Sequence, residues 1–518
     1  MALFLAGLDI GTTGSKAVIF SKNGDALSGA YREYSSTYPR PGWVEQDADL
    51  VVASAMDAVR EAVRESGVRP ADIAGISLSA QRCCGIFLDA ANKLTRPMIS
   101  WQDNRPSVEV KEIADAIDES KYYEKTGYPN STTWLLPKIL WVRKNEPEVW
   151  KRTARIVQMH DYFLKALGAD DYFVDMNDAG FFGFFDNVAG TWDRELLELF
   201  NISDSLLPIP TASAKPAGKV SPEASKRCGL AAGTPFSIGA GDQSAGALGA
   251  GVTKKGMLSI SMGTAGAVTA FVDTPFRDPL SKMMVTSHPM EGRWLLEGYQ
   301  AAAASVYRWY KDEIGIFDAA EAEREGEDFY TRLNRKVSEV PAGAKGLLVL
   351  PYYASAATPR YNPYARGVIL GLTFAHNRYD LARAFMEGIS MDMKDMLNSI
   401  QSAGVDVKEA RVLGGPTKSD VWNQIQSDMY GIPVTTLNVS DATVLGAAIL
   451  GGVGAGIFQT IDEGADAMVR LDTRYEPDKN TNGLYEKLYD VYCRAYEGFD
   501  EKSVFSSISE IQTDSSHK

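Results

Sequence analysis

One layout occurs twice in this chain, and it constrains the fold more than any other feature. FLAGLDIGTTGSKAVIF at residues 4–20 and MLSISMGTAGAVTAF at 257–271 each give an apolar run, a Gly-Thr turn and a second apolar run, with Gly263-Thr264 falling where Gly11-Thr12 falls. Short apolar runs bounded by glycine turns read as buried strands. Each segment is therefore expected to form a strand, a tight turn and a strand, and the chain to be a duplication. The copies differ at one place of chemical consequence: the residue two before the glycine is Asp9 in the first and Ser261 in the second. Only the first offers a carboxylate that attracts a metal ion, so the two copies have separate tasks.

The segments between extend the pattern. A helical stretch from Asp49 to Ser66 leads to a further buried strand, IAGISLS at 73–79. FSIGAGDQSAGALGAGV at 236–252 is a strand running into small residues that allow close packing and sharp turns, and the domain junction is placed here, near residue 250. Apolar positions recur at helical spacing from Asp380 to Ser402; ARVLGGP at 410–416 then gives a strand ending in a Gly-Gly turn, and Ser419 opens another helix. This is an α/β pattern. A chain of 518 residues exceeds one ordinary core, so two domains of roughly 200–250 residues each are expected, with a cleft between them as the default ligand site. The closing SSISEIQTDSSHK at 506–518 is polar and is expected to be disordered.

Charge and cysteine usage exclude several classes. The net charge is −14 with a pI near 5.0, and the basic residues are dispersed, so the electrostatic footprint of a nucleic-acid partner is missing. An anionic ligand must then be held locally, by loops and a metal ion. The chain has no apolar run of about 18 residues and no basic leader ahead of its first strand, which predicts a cytoplasmic protein without a membrane span. Cys83, Cys84, Cys228 and Cys493 form no CxxC pair and have no histidine at metal-binding spacing, so they read as buried or idle thiols, with Cys83 set apart by its place beside candidate ligand-binding residues.

Four short motifs carry the chemistry. In GLDIGTTGSK at 7–16 an acid at a strand end precedes a Gly-Thr-Thr turn. The amides and hydroxyls of such a turn can converge on phosphate oxygens, and Asp9 can hold Mg2+ through its water shell. Taken alone, the motif is equally an ordinary hairpin turn. GAGDQSAG at 239–246 presents Asp242 where glycines leave space for a hydroxyl-bearing substrate, although a lone GDQ is more often a helix cap. SMGTAG at 261–266 and LGGP at 413–416 lack side-chain bulk where a phosphate tail and a purine can approach the backbone. Their order within one duplicated α/β framework is what gives them weight. In SAQRCCGIFLD at 79–89 and SWQDNR at 100–105, the residues Arg82, Trp101, Asp103 and Arg105 offer planar donors and acceptors beside an apolar face, as a sugar pocket requires. The competing reading makes Trp101 core and Asp103–Arg105 a surface pair.

These blocks, with GWVEQD at 42–47, GVILGLT at 367–373, VLGGPTKSDVWNQIQSD at 412–428 and ATVLGAAILGGVGAGIF at 442–458, resemble the FGGY carbohydrate kinases of the actin and hexokinase superfamily over nearly the whole chain. The resemblance implies two ribonuclease-H-like domains with an interdomain cleft. Residues 1–250 would bind mainly the sugar, 251–470 mainly ATP, and 471–518 would form a C-terminal helix and polar tail. It implies Asp242 as general base and Asp9 as the metal-linked acid. Gly11, Thr12 and Thr13, with Lys16 beside them, would form one phosphate site and Gly263 and Thr264 the second, while Gly414 and Gly415 would take the adenosine. Gln81, Arg82, Cys83, Trp101, Asp103 and Gln243 would complete the sugar site with Asp242. ATP and Mg2+ are the implied cofactors, a small sugar the substrate, and a homodimer the implied assembly. Block order and WxDxR spacing are similar to xylulose kinases, whereas QRCC has the arginine of glycerol kinases and the acid or imidazole of neither. A pentulose such as D-xylulose is therefore the first choice, ahead of another ketose, a polyol or a signal molecule. A non-catalytic sensor is the rival class, and an actin-like ATPase a third.

Overall fold

A computed structural model describes residues 3–439 and 441–515. The chain is an α/β protein whose contacts divide into two compact units. The first holds Met1–Lys254, Phe271–Leu295 and Asp441–Arg470, and the second Lys255–Ala270, Leu296–Ser440 and Leu471–Lys518.

The duplication is visible in strand pairing. In the first unit the strand Phe4–Ile10 runs antiparallel to Gly14–Ser21 and parallel to Ile73–Ala80. In the second, Met257–Met262 runs antiparallel to Gly266–Val272 and parallel to Glu409–Gly414. Both sheets thus place one Gly-Thr turn at the carboxyl end of the leading strand, beside the carboxyl end of a parallel neighbour. The helix predicted from Asp49 is Ala48–Glu65, capped by the Asp47 carboxylate, which accepts from the amides of Asp49 and Leu50. The helix expected from Asp380 runs Arg378–Ser402, and Ser419 caps Asp420–Tyr430 through the Trp422 amide.

The small-residue blocks at 239–251 and 442–458 explain each other. The helices Asp242–Gly249 and Ala442–Gly454 pack backbone to backbone in the first unit. A Cβ on Gly249 would stand 1.7 Å from the Ala442 carbonyl oxygen, and one on Gly446 would stand 1.9 Å from that of Ala245. Helix Ala442–Gly454 is buried on nearly all sides through Val444, Leu445, Ile449 and Leu450, as its unbroken apolar sequence predicts. Each such side chain contributes about 1.5–3 kcal/mol on burial.

The C-terminal expectation needs correction. Two helices, Lys479–Glu501 and Val504–Ser515, occupy this region. Phe505 is buried, and Arg366 donates to Ser509 Oγ at 2.7 Å and to Gln512 Oε1 at 2.9 Å. The polar sequence is the outer face of a helix anchored by one aromatic ring; residues 516–518 lie outside the described residues. Among the described residues no helix is long and apolar enough to cross a membrane.

Candidate active site

In the first unit three parallel strands end together. Phe4–Ile10 sets Asp9 opposite Ser79 of Ile73–Ala80, and Ala240–Gly241 sets Ala240 opposite the same Ser79. Gln81 and Arg82 follow one strand and Asp242 another, at the edge where open α/β sheets bind ligands. Ser79 Oγ donates to Asp9 Oδ1 at 2.6 Å. Burial, with the charges of Asp441 and Asp242, pushes the Asp9 carboxyl up to about 8, while Ser79 and Lys16 act in the other direction. A group of carboxylates answered by so few cations suits a divalent ion, which would hold Asp9 ionised.

Asp242 opens the helix Asp242–Gly249. Its Oδ1 pairs with Arg82 Nε at 2.8 Å and accepts from the Gln243 amide at 2.7 Å. Among the described residues nothing donates to Oδ2. The Arg82 guanidinium lies 4.3 Å over the Phe181 ring, so the cation that holds the carboxylate is itself held flat.

The turn after Asp9 is built from the blocks that sequence analysis picked out separately. Gly11 N–H donates to the Gly14 carbonyl at 3.0 Å, and the Gly11 carbonyl accepts from Tyr34 Oη at 2.5 Å. The Gly11 amide is thus engaged within the turn and is not open to phosphate, which corrects its expected role; among the described residues the Thr12 and Thr13 amides have no acceptor. Gln81 Nε2 donates to Gln46 Oε1 at 2.9 Å, and Gln46 Nε2 donates to the Thr12 carbonyl at 2.7 Å. Trp101 Nε1 donates to Thr12 Oγ1 at 2.9 Å. Lys16 Nζ lies 3.0 Å from Asp441 Oδ2.

Two expected sugar contacts are placed elsewhere. Cys83 is buried in an apolar cluster with φ at 65°; its amide donates to Gln158 Oε1 at 2.6 Å and its carbonyl accepts from Lys138 Nζ at 2.8 Å. Burial holds its thiol well above the ordinary range. Asp103 is fully buried and accepts from Arg105 Nε, Arg105 Nη2 and the Val44 amide at 2.6–2.8 Å. Arg105 also pairs with Glu45 at 2.8 Å and lies 4.0 Å over Trp43. Neither side chain reaches an open surface. The Asp103–Arg105 pair is a pair in the core, and it fixes the segment that carries Gln46. Gln81, 2% exposed, likewise positions the turn, while Arg82, Trp101, Asp242 and Gln243 retain exposed surface.

The second unit carries the other turn and a cavity. Gly263 N–H donates to the Ala265 carbonyl at 2.9 Å, a closure one residue shorter than that at Gly11, and the Thr264 carbonyl accepts from the Ala303 amide and from Ser305 Oγ. Gly414, with φ at 96°, lies opposite Met262, and a Cβ there would stand 2.2 Å from the Met262 carbonyl oxygen. Gly415 has open space about its Cβ position. It lines a cavity of about 400 Å³ with Tyr307, Asp328, Tyr330, Asn334 and Trp422.

Asp441, Gln46, Ser79 and Tyr34 belong to the site without a motif that assigns them a role. Asp441 caps helix Ala442–Gly454 through the Val444 amide while pairing with Lys16; the Asp before ATVLG was the available signal. Gln46 and Ser79 stood inside blocks already marked but had no role assigned.

The model of the N-terminal domain of the FGGY family of carbohydrate kinases matches residues 4–249, and that of its C-terminal domain matches 258–455. The chain belongs to this family. It is a carbohydrate kinase, and kinases of this family use ATP as phosphoryl donor. This FGGY kinase is 28% identical over 491 residues to a xylulose kinase of Staphylococcus epidermidis, covering 95% of this chain and 96% of that one. It is 28% identical over 522 residues to a gluconokinase of Bacillus licheniformis, with 100% of both chains covered. The crystal structure of a xylulose kinase from Rhodospirillum rubrum superposes with a TM-score of 0.87 at 28% identity, covering 97% of this kinase and 100% of the other.

Proposed function

We propose that this kinase transfers the γ-phosphoryl group of ATP to a hydroxyl of a small ketose, D-xylulose first among them, with Asp242 as general base. The observation that carries the assignment is the Asp242 carboxylate, held at Oδ1 by Arg82 and the Gln243 amide with Oδ2 left to accept a proton. Phosphoryl transfer asks the protein mainly for positioning, electrostatic stabilisation and a group that takes the hydroxyl proton. Arg82, Trp101 and Gln243 orient the sugar, and the Thr12 and Thr13 amides, with their hydroxyls, receive phosphate oxygens. Asp9 would hold Mg2+, with Asp441 adding negative charge and Lys16 offsetting part of it. Bound Mg2+ supplies neutralising charge to the phosphate oxygens. In the second unit Thr264 receives phosphate, and the adenosine packs against Gly415 in the cavity bounded by Tyr307 and Trp422, with Gly414 setting the turn beside Met262. The first unit thus serves the sugar and the second ATP, in the cytoplasm where ATP is supplied.

The choice of a pentulose is supported by the xylulose kinase relative and the superposed xylulose kinase structure. A gluconokinase relative at the same identity makes a sugar acid the alternative substrate. Release of ADP over a panel of pentuloses, hexuloses, gluconate, glycerol and other polyols tests the reading. A five-carbon ketose with the highest kcat/KM is expected. Gluconate or glycerol as the best substrate would overturn the pentulose assignment, and no sugar-dependent ADP release would overturn the catalytic one.

A further inference from the structure

A second polar cluster lies in the first unit, outside the groups used so far. His160 sits on helix Met159–Leu167, Asp175 caps helix Met176–Gly180 and Asp178 lies within that helix. One ligand atom from each of these three residues lies within 4.8 Å of the other two. All three side chains are 0% exposed. Neither oxygen of Asp178 nor Oδ2 of Asp175 accepts a hydrogen bond from a described residue. An ionised carboxylate buried without a hydrogen-bond partner is strongly disfavoured, and the Arg82 guanidinium near Asp178 is shared with Asp242, so the cluster calls for further positive charge.

The histidine points to the form that charge takes. Its Nε2 lies 2.5 Å from the Ile238 carbonyl oxygen, which only an N–H can approach so closely. In the neutral ring the lone pair is then on Nδ1, which stands 3.3 Å from Asp161 Oδ1. A protonated ring would donate across this contact, whereas a neutral ring would need a cation between the two groups, so positive charge at His160, as a proton or as a metal ion, answers the buried carboxylates. Donation of the second ring nitrogen to a carbonyl is the usual support of a metal-binding histidine.

We propose that His160, Asp175 and Asp178 form a buried divalent-cation site, separate from the Asp9 ion. One imidazole nitrogen with two carboxylate oxygens favours Zn2+ or Mn2+ over the all-oxygen preferences of Ca2+ and Mg2+. The site has a structural task within reach: a Cβ on Gly241 would stand 2.7 Å from both Asp178 Oδ1 and Arg82 Cδ. An ion fixing Asp178 therefore fixes the floor beneath Arg82 and the start of the helix that carries Asp242. This inference stands on the cluster itself and does not depend on which sugar is phosphorylated.

The test uses full-length protein carrying Asp9→Asn, so that an ion at Asp9 is not counted. Elemental analysis after purification without chelator should find about one Zn2+ or Mn2+ per chain. After chelation, Zn2+, Mn2+, Mg2+ and Ca2+ are each added alone and followed by thermal melting and calorimetry. Zn2+ or Mn2+ should raise the melting temperature by at least ~2 °C. Asp178→Asn, close to isosteric, should weaken binding by about 10–100-fold, and His160→Gln should weaken it similarly. The proposal is overturned if none of the four ions binds, if Asp178→Asn binds them as tightly as the parent, or if Asp178→Asn melts higher than the parent in chelator and no ion shifts the parent, since a shared proton then supplies the charge.

Discussion

Arg82 Nε lies 2.8 Å from Asp242 Oδ1 in an ion pair, with the arginine side chain 11% exposed and the carboxylate 33% exposed. The contacts at Oδ1 fix the direction of the carboxylate and leave Oδ2 without a hydrogen-bond donor among the described residues. Arg82→Ala removes the cation that pairs with Asp242 and lies over Phe181, so kcat/KM on the best sugar should fall about 10²-fold or more, while ATP binding by calorimetry survives. Arg82→Lys restores charge without the fixed fork and should recover only part of the loss. Retention of wild-type kcat/KM by Arg82→Ala would remove Arg82 from the site.

Asp9→Asn should weaken the dependence on Mg2+ and lower turnover, because the ion loses a carboxylate that orients its water shell. Activity titrated against free Mg2+ reads this directly: the half-saturating concentration should rise and the limiting rate fall. An unchanged curve would make Asp9 a turn residue whose hydrogen bond from Ser79 is structural.

Gly415→Val should raise the KM for ATP more than that for sugar. Its Cβ position is open, so the variant folds, and the added branch enters the cavity lined by Tyr307 and Trp422. A selective rise in the sugar KM would take this turn out of the nucleotide site. Gly414→Val is a control expected to fail in folding, since its Cβ meets the Met262 carbonyl.

His288 gives a pH signature of stability. Its Nε2–H donates to the Val252 carbonyl at 2.9 Å and its Nδ1 accepts from the Met290 amide at 3.0 Å, a pattern only the neutral ring satisfies. Burial lowers its pKa from 6.5 to about 4. The unfolded chain takes up the proton first as pH falls, so the stabilising contribution present above about 6.5 is lost between about 6.5 and 4, by on the order of 3 kcal/mol. Denaturant midpoints measured from pH 7 to 4 should fall less steeply for His288→Gln than for the parent. Equal slopes would show that another group governs the acid limb.

The fold was legible because its strongest signals are local: the two strand-turn-strand copies, the helix start at Ser419, and the glycine blocks that permit backbone contact. Asp9 and Asp242 lie where their motifs put them, at or just beyond the carboxyl ends of neighbouring parallel strands. The site was illegible where a residue acts through a partner distant in sequence. Asp103 reads as a pocket acid until Val44 and Arg105 are seen to engage it. Cys83 reads as a substrate contact until its positive φ and the Gln158 and Lys138 bonds turn it inward. Gln46 and Asp441 matter through Thr12 and Lys16, contacts that no periodicity encodes. The terminal helix was missed because one buried ring, Phe505, outweighs a polar sequence.

The central claim is that Asp242 removes the proton from the sugar hydroxyl, and the rate of phosphoryl transfer by Asp242→Asn tests it most directly. Single-turnover formation of sugar phosphate from D-xylulose, or from the best ketose of the panel, is measured for parent and variant with ATP affinity determined separately. The account predicts a fall of about 10²–10⁴-fold in the transfer rate with the ATP Kd unchanged within about threefold. A variant that transfers phosphate at near the parental rate would contradict it.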